Sequence, residues 1–380
     1  MIPLAIPNLT GNEARYLQQC VETNYVSSVG PFVDRFEQHV ADCTDSASAV
    51  ATASGTAALH LALTTIGVRP GDLVVLPSFT FIASANAIAQ CGATPWLLDV
   101  DPASWTLDPA LLGRELRASC TMSGAELVHS STGRRVSAVM PVYAVGIPAD
   151  MDPICEWADE YRLPIVADAA AAIGSRYRGS NLGSLAHLSV ASFNGNKTVT
   201  CGGGGAIFGC DDDLLRRARH LSTTARVGSG YDHDSVAFNY RMTNIQAAVG
   251  CAQFERLDEF LERKRAVHAA YLRLAESIHG ASGFPDPESR ASAHWFSGVV
   301  LATAAAVDRA IPLLRGAGID VRPFWKPIHL QKPYATSPQS GLSVSADIWG
   351  RILVLPSSTS LTDEDLDGIV AICARELRRQ

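Results

Sequence analysis

Between residues 73 and 168 the chain alternates short apolar runs with longer segments of helical period. Leu73–Leu76 is followed by Ile82–Gln90, Pro95–Val100, Val136–Val142, Met151–Tyr161 and Pro164–Asp168. Apolar runs that end in small or acidic residues, separated by stretches of helix length, are the pattern of βαβ units. Runs apolar at every position belong to strands buried on both faces. The fold class is therefore α/β, with a mostly parallel sheet covered by helices on each side. Beyond Asp168 the expected strands come closer together, Leu188–Phe193 and Gly204–Phe208, before a helix entered through Asp211-Asp212-Asp213. Acids there suit the positive end of a helix dipole.

One long helical stretch is expected from Thr243 to about Ile278, supported by i,i+4 pairs such as Glu259 with Arg263, its first half serving as a connector. The rest reads as strand, helix, turn and helix: Trp295–Leu301, Ala304–Ala317, the Pro-rich Pro323–Pro333, Ile352–Pro356 and a last helix opened by Thr362. The expected division is a large domain over residues 1–250 and a connector helix with a smaller α/β C-terminal domain over 251–380. Residues Arg114–Arg135 lack periodicity and read as a surface loop or insertion.

Composition removes several classes of function. A net charge of −7 and no Lys/Arg run leave no basic surface for nucleic acid. The N-terminus lacks a basic segment followed by an apolar one, and no run approaches the ~20 apolar residues that span a bilayer, so a cytoplasmic location is expected. The nine cysteines are scattered and never spaced as CxxC or beside a His pair, which reads as reduced thiols and no metal site.

Four stretches can carry chemistry. Ser54-Gly55-Thr56 follows an apolar run and opens a helix; it is either a cap for that helix alone or an anion site of free amides. Phe81 lies just past a strand end, where open α/β sheets place ligands, and is either core packing or a stacking surface. Asp168 ends a buried strand and needs a partner; it either caps the next helix or pairs with a protonated pyridine nitrogen. Lys197, in Ser192-Phe193-Asn194-Gly195-Asn196-Lys197 before four glycines, is either a solvated lysine or the amine that condenses with an aldehyde.

Taken together, these stretches resemble the DegT/DnrJ/StrS family of nucleotide-sugar aminotransferases, which use pyridoxal 5'-phosphate (PLP). The resemblance runs from about Asn24 to Glu364 through SGTAALHLAL, PSFTFIASANAI, ADAAAAIGS, SFNGNKTVTCGGGG, FNYRMTNIQAAVGCAQ and RPFWKPIHLQKPY. It implies PLP fold type I, like aspartate aminotransferase, and a homodimer with shared active sites. By position it implies Lys197 as the lysine bound to the cofactor, Asp168 against the pyridine nitrogen and Phe81 against the ring. Gly55, Thr56 and Ser192 would hold the phosphate, with Asn239 from the partner subunit. Arg322, Trp325, Lys326 and His329 would lie near the nucleotide-sugar.

The blocks NYVSSVGPFVDRFEQ and RPFWKPIHLQKPY are similar to the branch acting on UDP-linked N-acetylated 4-keto-6-deoxy sugars, with an amino-acid donor such as glutamate. C3 amination of a dTDP- or GDP-sugar, dehydration, and a PLP-binding regulator without turnover are the other readings. The chain departs from the family pattern at Ala167 and Ala171, at Tyr143 in place of His, and at Ala237-Phe238 in place of Gly-Tyr.

Overall fold

The structure, a computed structural model, describes residues 1–378. Its larger sheet runs in the order Thr94–Leu98, Leu73–Pro77, Arg134–Val139, Val166–Asp168, Leu188–Ser192, Gly205–Gly209, Ser48–Thr52. Neighbours are parallel except around Gly205–Gly209, which runs against both of its partners. The two halves of this sheet join through parallel bridges Val139 to Ile165 and Val142 to Asp168. Side chains alternate between faces along each strand. Leu73 and Val75 enter one apolar cluster, Val74 and Leu76 the other. Both faces are dry, which is why these strands read as unbroken apolar runs.

The parallel strands all point one way, so their carboxyl ends, with Pro77, Asp168, Ser192 and Thr52 among them, share one edge of the sheet. Helices Gly55–Thr65 and Ile82–Gln90 start from that edge. A second, antiparallel sheet forms from Ser282–Gly283, Ser297–Val300, Ile352–Leu355 and Arg322–Pro323. Its helices Leu257–Glu276, Ala304–Gly316 and Asp363–Leu377 bury Tyr271, Leu314, Ile369 and Cys373 against Val299 and Leu353.

Three local expectations are corrected. The stretch from Thr243 to Ile278 is two helices, Asn244–Phe254 and Leu257–Glu276, broken at Glu255-Arg256. The break lets Ala248 and Cys251 pack into the large sheet's cluster while Val267 and Tyr271 pack into the second core. One straight helix cannot present apolar faces to two cores that lie in different directions. Glu259 does not pair with Arg263: it binds Arg256 at 2.6 Å, and Arg263 reaches Asp363 at 2.5 Å. Residues Arg114–Arg135 are no loop. They finish the helix Pro109–Ser119 and form a hairpin, Cys120–Ser123 with Glu126–His129, on the edge of Arg134–Val139. Its turn at Gly124 has a φ of +64°, which glycine adopts without strain.

Asp99 ties the two sheets' surroundings together. Buried, it accepts from the Val344 and Ser345 amides at 2.8 Å each and from the Ser345 hydroxyl, fixing the start of helix Ser343–Arg351. Removing a charged acceptor leaves buried donors unpaired, at a cost of about 3 kcal/mol. Asp99→Ala is therefore expected to lower the unfolding free energy measured by urea denaturation by that amount, with Asp99→Asn retaining part of it.

Candidate active site

A cavity of about 340 Å³ opens at the carboxyl edge of the large sheet. Its floor and walls include Gly55, Thr56, Phe81, Asp168, Ser192, Lys197 and Trp325.

The helix Gly55–Thr65 aims its N-terminus at this space. Ser54 caps it, its hydroxyl accepting from the Ala57 amide at 3.1 Å and its carbonyl from the Ala58 amide at 3.0 Å. First-turn amides have no helical acceptor of their own, so those of Gly55 and Thr56 remain for an anion. The packing here tolerates no side chain at residue 55. A Cβ on Gly55 would sit 2.7 Å from that of Ser192, and one on Gly205 would sit 2.6 Å from the Ser54 carbonyl oxygen. The glycine run thus brings the strand at Gly205 against the phosphate-sized mouth of the helix. Gly202 and Gly204, at φ of +74° and +116°, turn the chain there.

Asp168 is buried at its strand end. Ser84 Oγ donates to Oδ2 at 2.7 Å and the Ala170 amide to Oδ1 at 3.1 Å. Burial pushes its pKa up, while those two bonds and the charge of Lys197 pull it down. Lys197 sits in a turn, its amide donating to the Asn194 carbonyl. Burial lowers its ammonium pKa to about 8, with Asp168 opposing. Its Nζ lies 3.6 Å from the centroid of the Trp295 ring. That face favours the cation and works with Asp168 against burial.

Trp295 is itself held at both ends. Its Nε1–H donates to the Asn196 carbonyl at 2.7 Å, and its own carbonyl accepts from Lys264 Nζ at 2.7 Å. Lys264 is buried, donates also to the Ser357 carbonyl, and has its pKa lowered to about 7 by burial and by the charge of Lys197. Neither Ser84, Trp295 nor Lys264 stands out in the sequence. Ser84 is one of several small residues after Phe81, and Trp295 and Lys264 reach the site from the second core.

Phe81 lines the cavity half-exposed, 5.9 Å from the Trp325 ring. Of the four expected substrate residues, Trp325 alone lines this cavity. His329 turns instead to Ser78, its Nδ1 2.7 Å from the hydroxyl; Lys326 and Arg322 are exposed, and Arg322 pairs with Asp320 at 3.2 Å. Asn239 is exposed outside the cavity, its side-chain oxygen accepting from Arg241. Ala171 lines the cavity and its side chain carries no polar atom. Tyr143 also lines it, but its hydroxyl is buried without a partner among the described residues, close to Cys155 and Tyr177.

The model of the DegT/DnrJ/EryC1/StrS aminotransferase family matches residues 7–374. A GDP-perosamine synthase of Caulobacter vibrioides is 39% identical over 97% of this chain and 96% of that protein. Another, of Escherichia coli O157:H7, is 34% identical over 98% and 96%. The chain belongs to this aminotransferase family. Among solved structures, the aminotransferase TlmJ of Streptoalloteichus hindustanus superposes with a TM-score of 0.89 at 27% identity, covering all of this chain and 99% of that one. The protein is a PLP-dependent sugar aminotransferase of fold type I. Among the described residues no helix is long and apolar enough to cross a membrane.

The cavity fits this aminotransferase cofactor on chemical grounds. A phosphate ester, a basic ring nitrogen and an aldehyde call for an anion site, a buried acid and an amine, and all three line it. Only the free amine of a lysine condenses with an aldehyde. Recombination of the cofactor-free protein with PLP, followed by visible absorbance, is expected to quicken with pH through a midpoint near 8, not near the ordinary 10.5.

Proposed function

We propose that the enzyme moves an amino group from an amino acid, glutamate, to C4 of a nucleotide-linked 4-keto-6-deoxy sugar, with GDP as the nucleotide. The observation that carries the reading is the convergence of a buried amine, a buried carboxylate and a capped helix N-terminus on one cavity. The names of the relatives support GDP and C4 amination in place of the UDP-linked N-acetylated sugar that the resemblance implied.

PLP, when bound, supplies an electron sink that stabilises negative charge at carbon. The residues of the chain do the rest. The Gly55 and Thr56 amides and the Ser192 hydroxyl bind the phosphate. Asp168, its carboxylate fixed by Ser84, would hold a proton on the ring nitrogen of the bound cofactor. Phe81, on the cavity wall, would stack on the ring of the bound cofactor.

Lys197 anchors the aldehyde and afterwards serves as base and acid. With a pKa near 8, its Nζ is neutral often enough to take a proton from the amino acid's Cα and still return one. Trp325 faces the sugar. Arg322, Lys326 and His329, which lie outside the cavity, would meet the diphosphate of the bound substrate, and Asn239 would complete the phosphate site of a second copy in a homodimer.

Lys197→Ala is expected to lose the visible absorbance of the lysine-bound cofactor and to show no turnover above background. In the native enzyme, glutamate should bleach that band and release 2-oxoglutarate, and a GDP-linked keto sugar should restore it faster than UDP- or dTDP-linked ones. A band that no amino acid bleaches would turn the reading to a PLP-binding regulator. Ser84→Ala removes one hydrogen bond to a charged acceptor, worth about 1.5 kcal/mol. It should weaken PLP retention about tenfold in equilibrium dialysis while leaving the fold intact.

A further inference from the structure

His268, Asp286 and His294 come together outside the cofactor cavity, His294 being the residue that precedes Trp295. Their nitrogen and oxygen atoms lie within 4.8 Å of one another. His268 and His294 are 4% and 7% exposed, and their rings stack at 4.0 Å. Asp286 closes the cluster from the solvent side, 3.9 Å from His268 Nε2 and 4.0 Å from His294 Nε2. Ser297 lies 3.1 Å from His268 Nδ1. A proton on Nδ1, donated to that hydroxyl, leaves the Nε2 lone pair free, and Nε2 is buried with no partner among the described residues. A buried acceptor without a donor is costly unless something fills the need.

We propose that His268 Nε2, His294 Nε2 and the Asp286 carboxylate form a binding site for a divalent transition metal of the zinc or cobalt class. Two imidazoles and one carboxylate are the donors such ions favour, and too few oxygens for calcium or magnesium. Lys264 and Arg265, the cations nearest His294, oppose a dication and set the affinity below that of a closed structural site.

Metal–nitrogen bonds of about 2 Å place tetrahedral ligands about 3.3 Å apart. Asp286, half-exposed, must move inward by roughly 0.6 Å, and the two rings must swing out of their stack so that both Nε2 lone pairs converge. A water would fill the fourth position. The ion would join the helix Leu257–Glu276 to the residue preceding Trp295, and so stiffen the wall behind Lys197. The site adds to the aminotransferase reading without depending on it.

Holoenzyme treated with a chelator and dialysed is titrated with Co²⁺ and then Zn²⁺. The expected result is one Co²⁺ per chain with tetrahedral visible absorption, displaced by Zn²⁺, and a melting temperature raised by the ion. Asp286→Asn, at an exposed position, should weaken binding about tenfold or more, and His268→Gln should abolish it. Absence of saturable binding overturns the proposal. So does binding of unchanged strength in Asp286→Asn, which would place the ion elsewhere, as on the cofactor phosphate. Asp286→Asn decides the matter even if His268→Gln does not fold.

Discussion

The site depends on a carboxylate and an amine that have both been taken out of water at the same edge of a sheet. Neither is tolerable alone. Burial drives Asp168 toward its acid and Lys197 toward its free base, and each one's charge resists the other's neutralisation. Ser84 and the Ala170 amide fix the carboxylate without neutralising it. The outcome is an amine poised near neutrality beside an acid that stays ready to face a cation.

That pair exists because parallel strands end together. Asp168 closes one strand, Ser192 closes its neighbour, and the turn after Ser192 delivers Lys197. Helix Gly55–Thr65 can bring its amides to the same place because Gly55 and Gly205 leave no Cβ between the strand and the helix mouth. The second core contributes a wall. Lys264 grips the Trp295 carbonyl and Asn196 receives the indole N–H, so the ring over Lys197 is held from both bodies. The Asp99 contacts with helix Ser343–Arg351 hold the second core's elements against the large sheet by similar means.

The alternation of strands and helices, the helix mouth at Ser54-Gly55, the strand end at Asp168 and the lysine before the glycine run were legible in sequence, because each rests on local periodicity or capping. The hairpin over Cys120–His129 was not. Its strands are short, and their pairing with Arg134–Val139 supplies the order that their own composition lacks. The break at Glu255-Arg256 was hidden because both halves are good helix formers. It is imposed by two cores that the helices must serve separately.

The sequence by itself determined the fold class, the family and several residues that line the cavity, Lys197 and Asp168 among them, since these follow from local patterns repeated along the chain. The tertiary structure alone decided that Trp295 lies over Lys197, that His329 turns to Ser78, and that Trp325 faces the cavity while Lys326 and Arg322 do not. It alone brought His268, Asp286 and His294 together from a helix, a loop and the entry to a strand. No spacing rule finds such a cluster, because its geometry is set by how the helix packs on the sheet rather than by distance along the chain.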